Sequence, residues 1–413
     1  MTGPRVAYVV NRFPRWGGGW ILNEVRSLLS AGVELAIFSF KRPADEVAAQ
    51  AGMKEWIDRT VYLPSGTSLA CLASAALFSL SSPAGALRGM RAALRLGGRM
   101  ARGSHILEVL HLARSIRRSG AEHVHAQHAD YLADAALAAA EAIGLSFSFA
   151  GHAHDLYTTP GRLAEKIRRA RFVVTCTGFN ADYLETLCSG SGDPDLDRSK
   201  IVKVYHGVDL DRFSFRESTG APSRLVTVTR LKEKKGFPYL LDALAALKRR
   251  GVEFTLDVYG DGDQRQAILD RVSELDLSDR IALRGAIEHE RIPDALGSAG
   301  IFVLPCVVLP DQDRDGIPNT IIEALASGVA VVTTSISGIP EAVRDGETGL
   351  LVPERDATAL ASAIERMMAD DGLRERCARG GREVAEKEFS LKATGRALAG
   401  LFRKTAETGC SAR

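Results

Sequence analysis

Short apolar runs rich in Val, Ile and Phe alternate with longer stretches of helical spacing along most of the chain. The first run, RVAYVV at 5–10, precedes WILNEVRSLLSAG at 20–32, in which apolar positions recur every three or four residues, and VELAIFSF at 33–40 follows. Strands separated by helices of about ten to fifteen residues are typical of βαβ units, whose strands form a parallel sheet. The pattern therefore predicts an α/β fold.

The same alternation restarts after residue 223, which divides the chain into two halves. Residues 190–223 contain SGSGDPDLDRS and RESTGAPS, and this composition is typical of loops and linkers. We predict two doubly wound Rossmann-like domains, at 1–205 and 206–385, that face a cleft and bind ligands beyond the carboxyl ends of their strands. The further predicted strands are 122–127, 146–151, 171–176, 224–230, 253–260, 280–285, 300–305 and 330–335.

The composition is that of a globular protein without a strong charge preference. Its 413 residues exceed one ordinary core, and the formal net charge of +2 gives no argument for nucleic acid as a partner. The six cysteines are scattered without a CxxC pair, which is typical of reduced thiols. No secretory signal is evident, and the longest apolar run, SLACLASAALFSL at 68–80, is shorter than the roughly 20 residues that cross a bilayer. We expect a cytoplasmic protein.

Residues 85–118 carry eight arginines and one acid, Glu108. Several arginines recur every three or four residues amid Leu, Met and Ala, as in basic amphipathic helices that lie at a membrane interface. A solvated helix face produces the same pattern, so both interpretations stay open: a solvated face, or peripheral contact with an anionic inner membrane. Base-stacking aromatic residues are missing from the run, and it gives no argument for nucleic-acid binding.

The stretch DGIPNTIIEALASG at 315–328 places two acids eight residues apart around a Gly/Pro turn that opens a helix. The first turn of a helix has unpaired N–H groups and a positive partial charge, so it can bind an anion such as phosphate. Glu323 has two acceptor oxygens for the paired hydroxyls of a ribose, and Asp315 can accept from sugar hydroxyls. The alternative interpretation is a helix cap followed by a solvated glutamate.

Basic and loop-forming residues follow strands elsewhere in the second half. In TRLKEKKGF at 229–237, Arg230 offers a planar fork and Lys235 a compact point charge, a suitable pair for a diphosphate. A solvated basic loop is the other interpretation. SISGIPE at 335–341 and DGETGLLV at 345–352 are predicted as further loop and turn segments near the same edge.

Two segments of the first half place candidate groups after strands. GHAHDLY at 151–157 places His152 at the carboxyl edge of the first sheet, although a structural histidine, or His154 instead, is an alternative. PRWGGGW at 14–20 exposes backbone that can approach a ligand, with a flexible turn as the other interpretation. Its glycines are Gly17, Gly18 and Gly19.

Together these segments resemble the retaining GT-B glycosyltransferases of family 4 over nearly the whole chain. The hallmark of that family, an acid, Gly, any residue, Pro and a second acid eight residues after the first, reads here DGIPNTIIEALASG. VTRLKEKKGFPYLLDAL is similar to the diphosphate segment of the family, VYHGVDLDRF to its interdomain strand and loop, YGDGDQR to its second-strand turn, and SGIPEAVRDGETGLLVPERD to its distal loops. FPRWGGGWILNEV and SFAGHAHDLY resemble the colanic-acid type of exopolysaccharide enzyme within the family.

The resemblance implies roles for individual residues. Arg230 and Lys235 would bind the donor diphosphate, and Glu323 would bind the nucleotide ribose. Asp315 would lie at the donor sugar, which His152 would contact near the anomeric carbon. The donor would also contact the backbone of a further set of residues: Gly17, Gly18, Gly19, Gly316 and Ile317.

Two positions depart from the family pattern and leave the choice of donor open. The first acid of the hallmark is normally Glu, and Asp315 is one methylene shorter. The colanic-type relatives usually have a polar triplet where this chain has three consecutive glycines.

The resemblance further implies a hexosyltransferase-type enzyme (EC 2.4) that transfers a sugar with retention from a nucleoside-diphosphate sugar to a saccharide or lipid-linked acceptor. No cofactor and no metal are expected, since no DxD motif stands beside a strand. Residues 386–413 would form a helix that packs back on the first domain. The alternatives are a catalytically silent sugar-nucleotide-binding partner protein and a nucleotide-sugar epimerase on the same fold; a dehydrogenase is disfavoured because no GxGxxG follows the first strand.

Overall fold

The computed structural model describes residues 3–15, 19–48, 52–190, 192–193, 196–216 and 220–410. The predicted donor contacts Gly17 and Gly18 lie outside these residues, whereas Gly19 begins the first helix. The chain divides into two compact units, one of Met1–Val204 with Thr394–Arg413 and one of Tyr205–Ala393.

The described residues of the first unit form a seven-stranded parallel sheet with helices between its strands. The strands are β1 Arg5–Arg12, β2 Glu34–Lys41, β3 Thr60–Tyr62, β4 His123–Ala126, β5 Ser146–Gly151, β6 Val173–Thr175 and β7 Ile201–Lys203. The helices are α1 Gly19–Ser30, α2 Asp45–Ala48, α3 Met53–Asp58, α4 Leu69–Ser81, α5 Pro83–Leu96, α6 Gly103–Ser119, α7 Tyr131–Ile143, α8 Ala153–Tyr157, α9 Leu163–Arg169 and α10 Gly178–Gly190.

The strand order β3-β2-β1-β4-β5-β6-β7 is that of a doubly wound sheet. The chain moves outward from β1 in one direction, then returns and continues from β4 in the other. The switch point lies between β1 and β4, which pair in parallel from Val6↔His123 to Val9↔Ala126. Ligands of such sheets bind beyond the carboxyl ends of the strands at this point.

The second unit contains a six-stranded parallel sheet of the order β10-β9-β8-β11-β12-β13. Its strands are β8 Arg224–Val228, β9 Thr255–Tyr259, β10 Ile281–Gly285, β11 Ile301–Leu304, β12 Ala330–Thr334 and β13 Leu350–Val352. Its helices are α11 Phe237–Arg249, α12 Arg265–Glu274, α13 Ile292–Gly297, α14 Asn319–Ala326, α15 Ile339–Ala342, α16 Ala357–Ala369 and α17 Asp371–Glu388. The switch point of this sheet lies between β8 and β11.

The last helix, α18 Leu391–Cys410, begins in the second unit, and its residues from Thr394 onward belong to the first. Phe402 is fully buried there, with its ring centroid 5.2 Å from that of His125 and 5.7 Å from that of Phe172. The predicted boundary at 385 falls inside α17, so the residues up to Ala393 lie with the second unit.

The predicted α/β fold with two parallel sheets is confirmed, and each predicted strand is present with ends that differ by a few residues. The prediction of loop and turn throughout 345–352 is wrong at its end, because Leu350–Val352 forms β13. The sequence pattern does not predict β3, β7 and β13, which are three residues long and lie at the ends of their sheets. The strand β6 has the same length but lies inside its sheet, within the predicted run RFVVTC.

The basic segment 85–118 forms α5 and α6, and most of its apolar positions face the core. Their buried residues are Gly85, Ala86, Gly89, Ala92, Ala93 and Leu96 in α5, and Val109, Leu110, Leu112, Ala113 and Ile116 in α6. These side chains pack in the first unit, whereas Leu87 and Leu94 of the same segment are 43% and 57% exposed, and contact of the segment with a membrane stays a prediction. Among the described residues, no helix is both long and apolar enough to cross a membrane.

Candidate functional site

The loop after β8 is fixed at the switch point of the second sheet by backbone hydrogen bonds. The N–H of Thr229 donates to the carbonyl of Tyr259 at 2.9 Å, and that of Leu231 donates to the carbonyl of Asp261 at 3.0 Å. Gly260 allows this approach, since a Cβ there would lie 1.7 Å from the Thr229 carbonyl oxygen. Arg230, between these two anchors, is therefore held at the carboxyl end of β8.

The Arg230 side chain is exposed, and its guanidinium forms no hydrogen bond or ion pair with another described residue. The positive charge of Arg230 makes a lowering contribution to the pKa of Lys235, so the two cations are close enough to repel each other. An unneutralised guanidinium at a switch point is suited to an anionic ligand, because it offers paired N–H donors without first breaking an ion pair.

Lys235 and Asp315, both predicted site residues, form an ion pair with each other. Lys235 Nζ lies 2.7 Å from Asp315 Oδ2, and the two side chains are 9% and 18% exposed. Lys234 Nζ lies 3.5 Å from Asp315 Oδ1 and 2.9 Å from Asp313 Oδ1. Lys234 and Lys235 are thus paired with acids of the loop that precedes α14, whereas the Arg230 guanidinium has no such partner among the described residues.

Burial and charge oppose each other in this pair. Burial alone would raise the pKa of Asp315, but the positive charges of Lys235 and Lys234 hold it below its usual value. Burial alone would lower the pKa of Lys235, but the Asp315 carboxylate raises it above its usual value. Both groups are therefore ionised at neutral pH, and each depends on the other to remain charged in a mostly buried position.

We expect Lys235→Met to destabilise the second unit by about 3 kcal/mol, because it leaves the buried Asp315 carboxylate without its nearest partner. Chemical denaturation at pH 7 measures this loss. Lys248→Met is the matched control: Lys248 pairs at 3.0 Å with the 94%-exposed side chain of Asp276, and we expect a much smaller loss of stability there. Equal losses in the two variants would show that the Lys235–Asp315 pair has no special role in stability.

Glu323, in the second turn of α14, carries an acceptor oxygen without a partner among the described residues. The residue is 8% exposed, and its Oε1 accepts from His289 Nε2 at 3.1 Å. Arg212 donates to His289 Nδ1 at 2.7 Å, so the proton of the neutral ring lies on Nε2. Glu323 Oε2 is buried and has no hydrogen-bond partner among the described residues. A buried carboxylate oxygen in this state is suited to accept from a ligand hydroxyl.

In the first unit, His152 lies in a cluster of rings at the carboxyl edge of the sheet. It occupies the N-cap position of α8, where its backbone N–H donates to Asp155 Oδ1 at 2.9 Å. Its ring centroid lies 4.7 Å from that of Trp20 and 5.0 Å from that of His128. His154 instead is exposed, and its Nδ1 lies 3.1 Å from the Thr158 hydroxyl. The fold therefore places His152, and not His154, in this cluster.

Glu24, an acid on α1, lies at the switch point of the first sheet, between β1 and β4. Its Oε1 accepts from the Tyr8 hydroxyl at 2.6 Å and from Gln127 Nε2 at 3.2 Å. Burial raises the pKa of Glu24 to about 7, and the hydrogen bonds from Tyr8 and Gln127 offset only part of this effect. Gln127 Oε1 and His128 Nδ1 are buried without hydrogen-bond partners among the described residues. Both atoms can therefore form hydrogen bonds with a ligand at this edge of the sheet.

We expect Glu24→Gln to stabilise the first unit at pH 8 by about 1–3 kcal/mol, and to change its stability little at pH 4.5. The folded state keeps the Glu24 proton up to about pH 7, whereas the unfolded chain loses it near 4.5. Ionisation of Glu24 therefore reduces stability as pH rises through this window, and a glutamine avoids this cost. Thermal unfolding at both pH values tests it, with the exposed Glu34→Gln as control. An equal effect of Glu24→Gln at both pH values contradicts the assignment.

The structure collects the predicted residues at two edges. Arg230, Lys235, Asp315 and Glu323 lie in the second unit, with Gly316 and Ile317 in the loop between Asp315 and α14. His152 and Gly19 lie in the first unit. Sequence reasoning missed a further set of polar residues that contact them or lie beside them: Glu24, Gln127, His128, Arg212, Lys234 and His289. Of these, Lys234 had a signal in the sequence, because it stands within the basic run before Gly236.

Several known proteins are similar to this chain in sequence. Residues 222–370 match the family described as "Glycosyl transferases group 1". The chain is 36% identical over 207 residues to the "Putative colanic acid biosynthesis glycosyltransferase WcaL" of Salmonella typhimurium. This match covers 49% of this chain and 51% of that protein. It is 33% identical over 209 residues to the amylovoran biosynthesis glycosyltransferase AmsK of Erwinia amylovora, over 50% of this chain and 51% of that protein. The chain thus spans about half the length of these relatives in the matches.

Solved structures match the fold over nearly the full chain. A glycosyltransferase from Rickettsia africae has a TM-score of 0.70 at 18% identity and covers 98% of this chain and 100% of its own. Alr3699/HepE of Anabaena, solved in complex with UDP and glucose, has a TM-score of 0.69 at 15% identity, over 99% of both chains.

The two doubly wound sheets and these matches define the class: this is a protein of the GT-B fold. Its residues 222–370 match the family described as "Glycosyl transferases group 1", and its similar sequences include proteins named as glycosyltransferases of colanic acid and amylovoran biosynthesis. The predicted resemblance is confirmed in this form. Retention and the assignment to family 4 stay predictions.

Proposed function

We propose that this protein is a glycosyltransferase that moves a sugar from a nucleoside-diphosphate sugar to a saccharide or lipid-linked acceptor. The proposal rests on two groups that lie at the same switch point. These are the Arg230 guanidinium, which has no ion-pair partner among the described residues, and a buried Glu323 oxygen that lacks a hydrogen-bond partner among them. A diphosphate requires the first group and a ribose the second. The names of the similar proteins favour transfer over the silent-binding and epimerase alternatives.

In this proposal, charge develops on the departing nucleoside diphosphate, and fixed positive groups of the second unit stabilise it. Arg230 supplies a full charge, and the first turn of α14 supplies backbone N–H groups after Gly316 and Ile317. Lys235 remains close to the diphosphate while it holds Asp315, whose carboxylate is then oriented to accept from sugar hydroxyls. Because these cations can offset the leaving charge, we propose that transfer requires no metal and no cofactor.

The stereochemical outcome and the acceptor rest on the likeness to other proteins. We propose retention at the anomeric carbon, in line with the resemblance to family 4. We propose an acceptor in cell-surface polysaccharide or glycolipid synthesis, since the similar sequences include enzymes named for colanic acid and amylovoran. Gln127 and His128 offer unpaired buried polar atoms in the first unit that can bind sugar hydroxyls.

The test is donor turnover by the purified protein in the presence of a chelator. Nucleotide sugars of the common bases are supplied one at a time with a crude lipid-linked or oligosaccharide acceptor, and the anomeric proton coupling of the product is read by NMR. We expect one donor to be consumed, with an anomeric configuration equal to that of the donor. Turnover that appears only with added Mg²⁺ or Mn²⁺ refutes the metal independence, and an inverted product refutes retention. Nucleotide binding without any turnover supports the silent-binding alternative.

We expect His152→Ala to lower the transfer rate about 10- to 100-fold and to leave nucleoside-diphosphate affinity within about twofold, since its proposed contact is to the sugar near the reacting carbon. Steady-state kinetics and calorimetry measure the two effects. His154→Ala is the control, because that ring is exposed two residues away, and we expect parental kinetics. Equal losses in both histidine variants would remove His152 from the site.

A further inference from the structure

Helix α4 presents a continuous apolar face to solvent. Leu69, Leu72, Leu77 and Leu80 are 85%, 41%, 52% and 80% exposed, and Ala73 and Ala76 between them are exposed as well. These positions are spaced by one, three or four residues, so they lie on one side of the helix. The opposite side, with Cys71, Ser74, Ala75 and Phe78, is buried. A contiguous surface of this kind marks an interaction site, whereas single exposed leucines do not.

The surroundings of this face are strongly basic. Residues 59–121 contain nine arginines and a single acid. That acid, Glu108, is turned inward: its Oε1 accepts from the Gly66 N–H at 3.0 Å, and its Oε2 lies 2.8 Å from His105 Nδ1. Arg117 lies at the end of α4, with its guanidinium carbon 4.9 Å from the ring centroid of Phe78 and its Nη2 3.0 Å from Ser81 Oγ. Two of the nine arginines pair with acids outside this range, Arg59 with Glu55 and Arg95 with Glu141 and Glu165, so the basic charge of this surface comes from the others.

Helix α5, which packs against α4, repeats this chemistry. It exposes Leu87 and Leu94 at 43% and 57%, with the exposed Arg91 between them at helical spacing. Neither Arg91 nor Arg118 at the end of α6 forms an ion pair with another described residue.

We propose that α4 lies in the interface of an anionic lipid bilayer, with its leucines among the acyl chains and the arginines of α5 and α6 at the lipid phosphates. Leucines beside unpaired arginines are complementary to apolar chains beneath negative headgroups. A helix of 13 residues is about 20 Å long, sufficient to lie in this layer and too short to cross it. A second copy of the chain fits less well, because a symmetric contact would bring the arginines of both copies together.

The proposal does not depend on the catalytic proposal. It concerns only the first unit, and lipid binding can be measured without a donor or an acceptor. The difference from the sequence prediction is the origin of the apolar surface: α4 supplies it, and the segment 85–118 supplies mainly the charge.

The test is co-sedimentation of the full chain with vesicles that contain phosphatidylglycerol, compared with vesicles of phosphatidylcholine alone. We expect binding to the anionic vesicles that weakens at high salt. The double variant Leu69→Glu, Leu80→Glu should lower the partition coefficient at least about tenfold, because two side chains that enter the acyl layer become charged. Both leucines are at least 80% exposed, so the variant should unfold at the parental temperature. Arg117→Gln should lower the coefficient about fivefold, which is about 1 kcal/mol per surface arginine.

The matched control is Leu269→Glu, which changes a 38%-exposed leucine on α12 of the second unit and should leave vesicle binding unchanged. Three results overturn the proposal: no binding of the parent to anionic vesicles, equal binding to both kinds of vesicle, or equal loss in the α4 double variant and the control. A further contrary result is a parent that fails to bind vesicles and forms a dimer, which the α4 double variant converts to a monomer. That result would show that the apolar face of α4 contacts a second copy of the chain.

Discussion

The Arg230→Gln variant should transfer sugar about 100- to 1000-fold more slowly than the parent protein. Removing one preorganised group that stabilises developing transition-state charge costs about this factor in other enzymes. The Arg230 guanidinium has no ion-pair partner among the described residues, whereas Lys235 pairs with Asp315 and Lys234 pairs with Asp313. The variant should also bind the nucleoside diphosphate about 10- to 100-fold more weakly, because charge-assisted hydrogen bonds to the phosphates are lost. Steady-state kinetics and calorimetry measure the two effects.

The same loop provides the control for this prediction. Lys232 stands two residues away and pairs at 2.5 Å with the 59%-exposed side chain of Asp263. We expect Lys232→Gln to keep parental turnover and nucleotide affinity. Arg230→Lys should recover part of the rate, because it restores the charge without the planar fork. If Lys232→Gln and Arg230→Gln lower turnover equally, the loop contributes general positive charge and Arg230 has no specific role.

Glu323→Ala should weaken nucleotide binding about 100-fold, the second large effect that the geometry predicts. A carboxylate that accepts from both ribose hydroxyls contributes roughly 1.5 kcal/mol for each charged hydrogen bond, or about 3 kcal/mol in total. The corresponding 2′-deoxynucleotide should bind the parent more weakly than the ribonucleotide, and the two should bind Glu323→Ala equally. Calorimetric titration of parent and variant with both nucleotides gives the comparison.

Glu323→Gln is the control that separates loss of the carboxylate from loss of structure. A glutamine retains the acceptor for His289 Nε2 and the size of the side chain, and we expect this variant to fold normally and to bind nucleotide about tenfold more weakly than the parent. Glu375→Gln, at an exposed position on α17, should bind like the parent. A Glu323→Ala variant with undiminished nucleotide affinity would refute the ribose role.

Much of the fold could be predicted because central strands of parallel sheets are buried on both faces and appear as continuous apolar runs. The loops that follow such strands must meet at one edge, so a basic pair after β8 and two acids before and in α14 could be assigned to one site. The edge strands β3, β7 and β13 could not be found this way, because a short strand with only one neighbour in the sheet need not be apolar on both faces.

The pairing of side chains could not be predicted from spacing. Lys235 and Asp315 are 80 positions apart, and His289 and Glu323 are 34 apart, so only the folded sheet brings each pair together. The outward face of α4 was hidden for a different reason: both sides of this helix are apolar, and the sequence pattern does not distinguish the side that packs on α6 from the side that faces solvent. The donor contacts predicted at Gly17 and Gly18 remain predictions outside the described residues.

The most direct test of the central claim, a nucleoside-diphosphate site at the switch point of the second sheet, is thermal unfolding with UDP, GDP, ADP, CDP and NAD in the presence of a chelator. A ligand at about one hundred times its Kd stabilises the folded protein by roughly 2.7 kcal/mol. We predict that one nucleoside diphosphate raises the unfolding temperature of the parent and has a much smaller effect on Glu323→Gln and Arg230→Gln. Stabilisation by NAD alone, by none of the five, or by the same amount in all three proteins would contradict it.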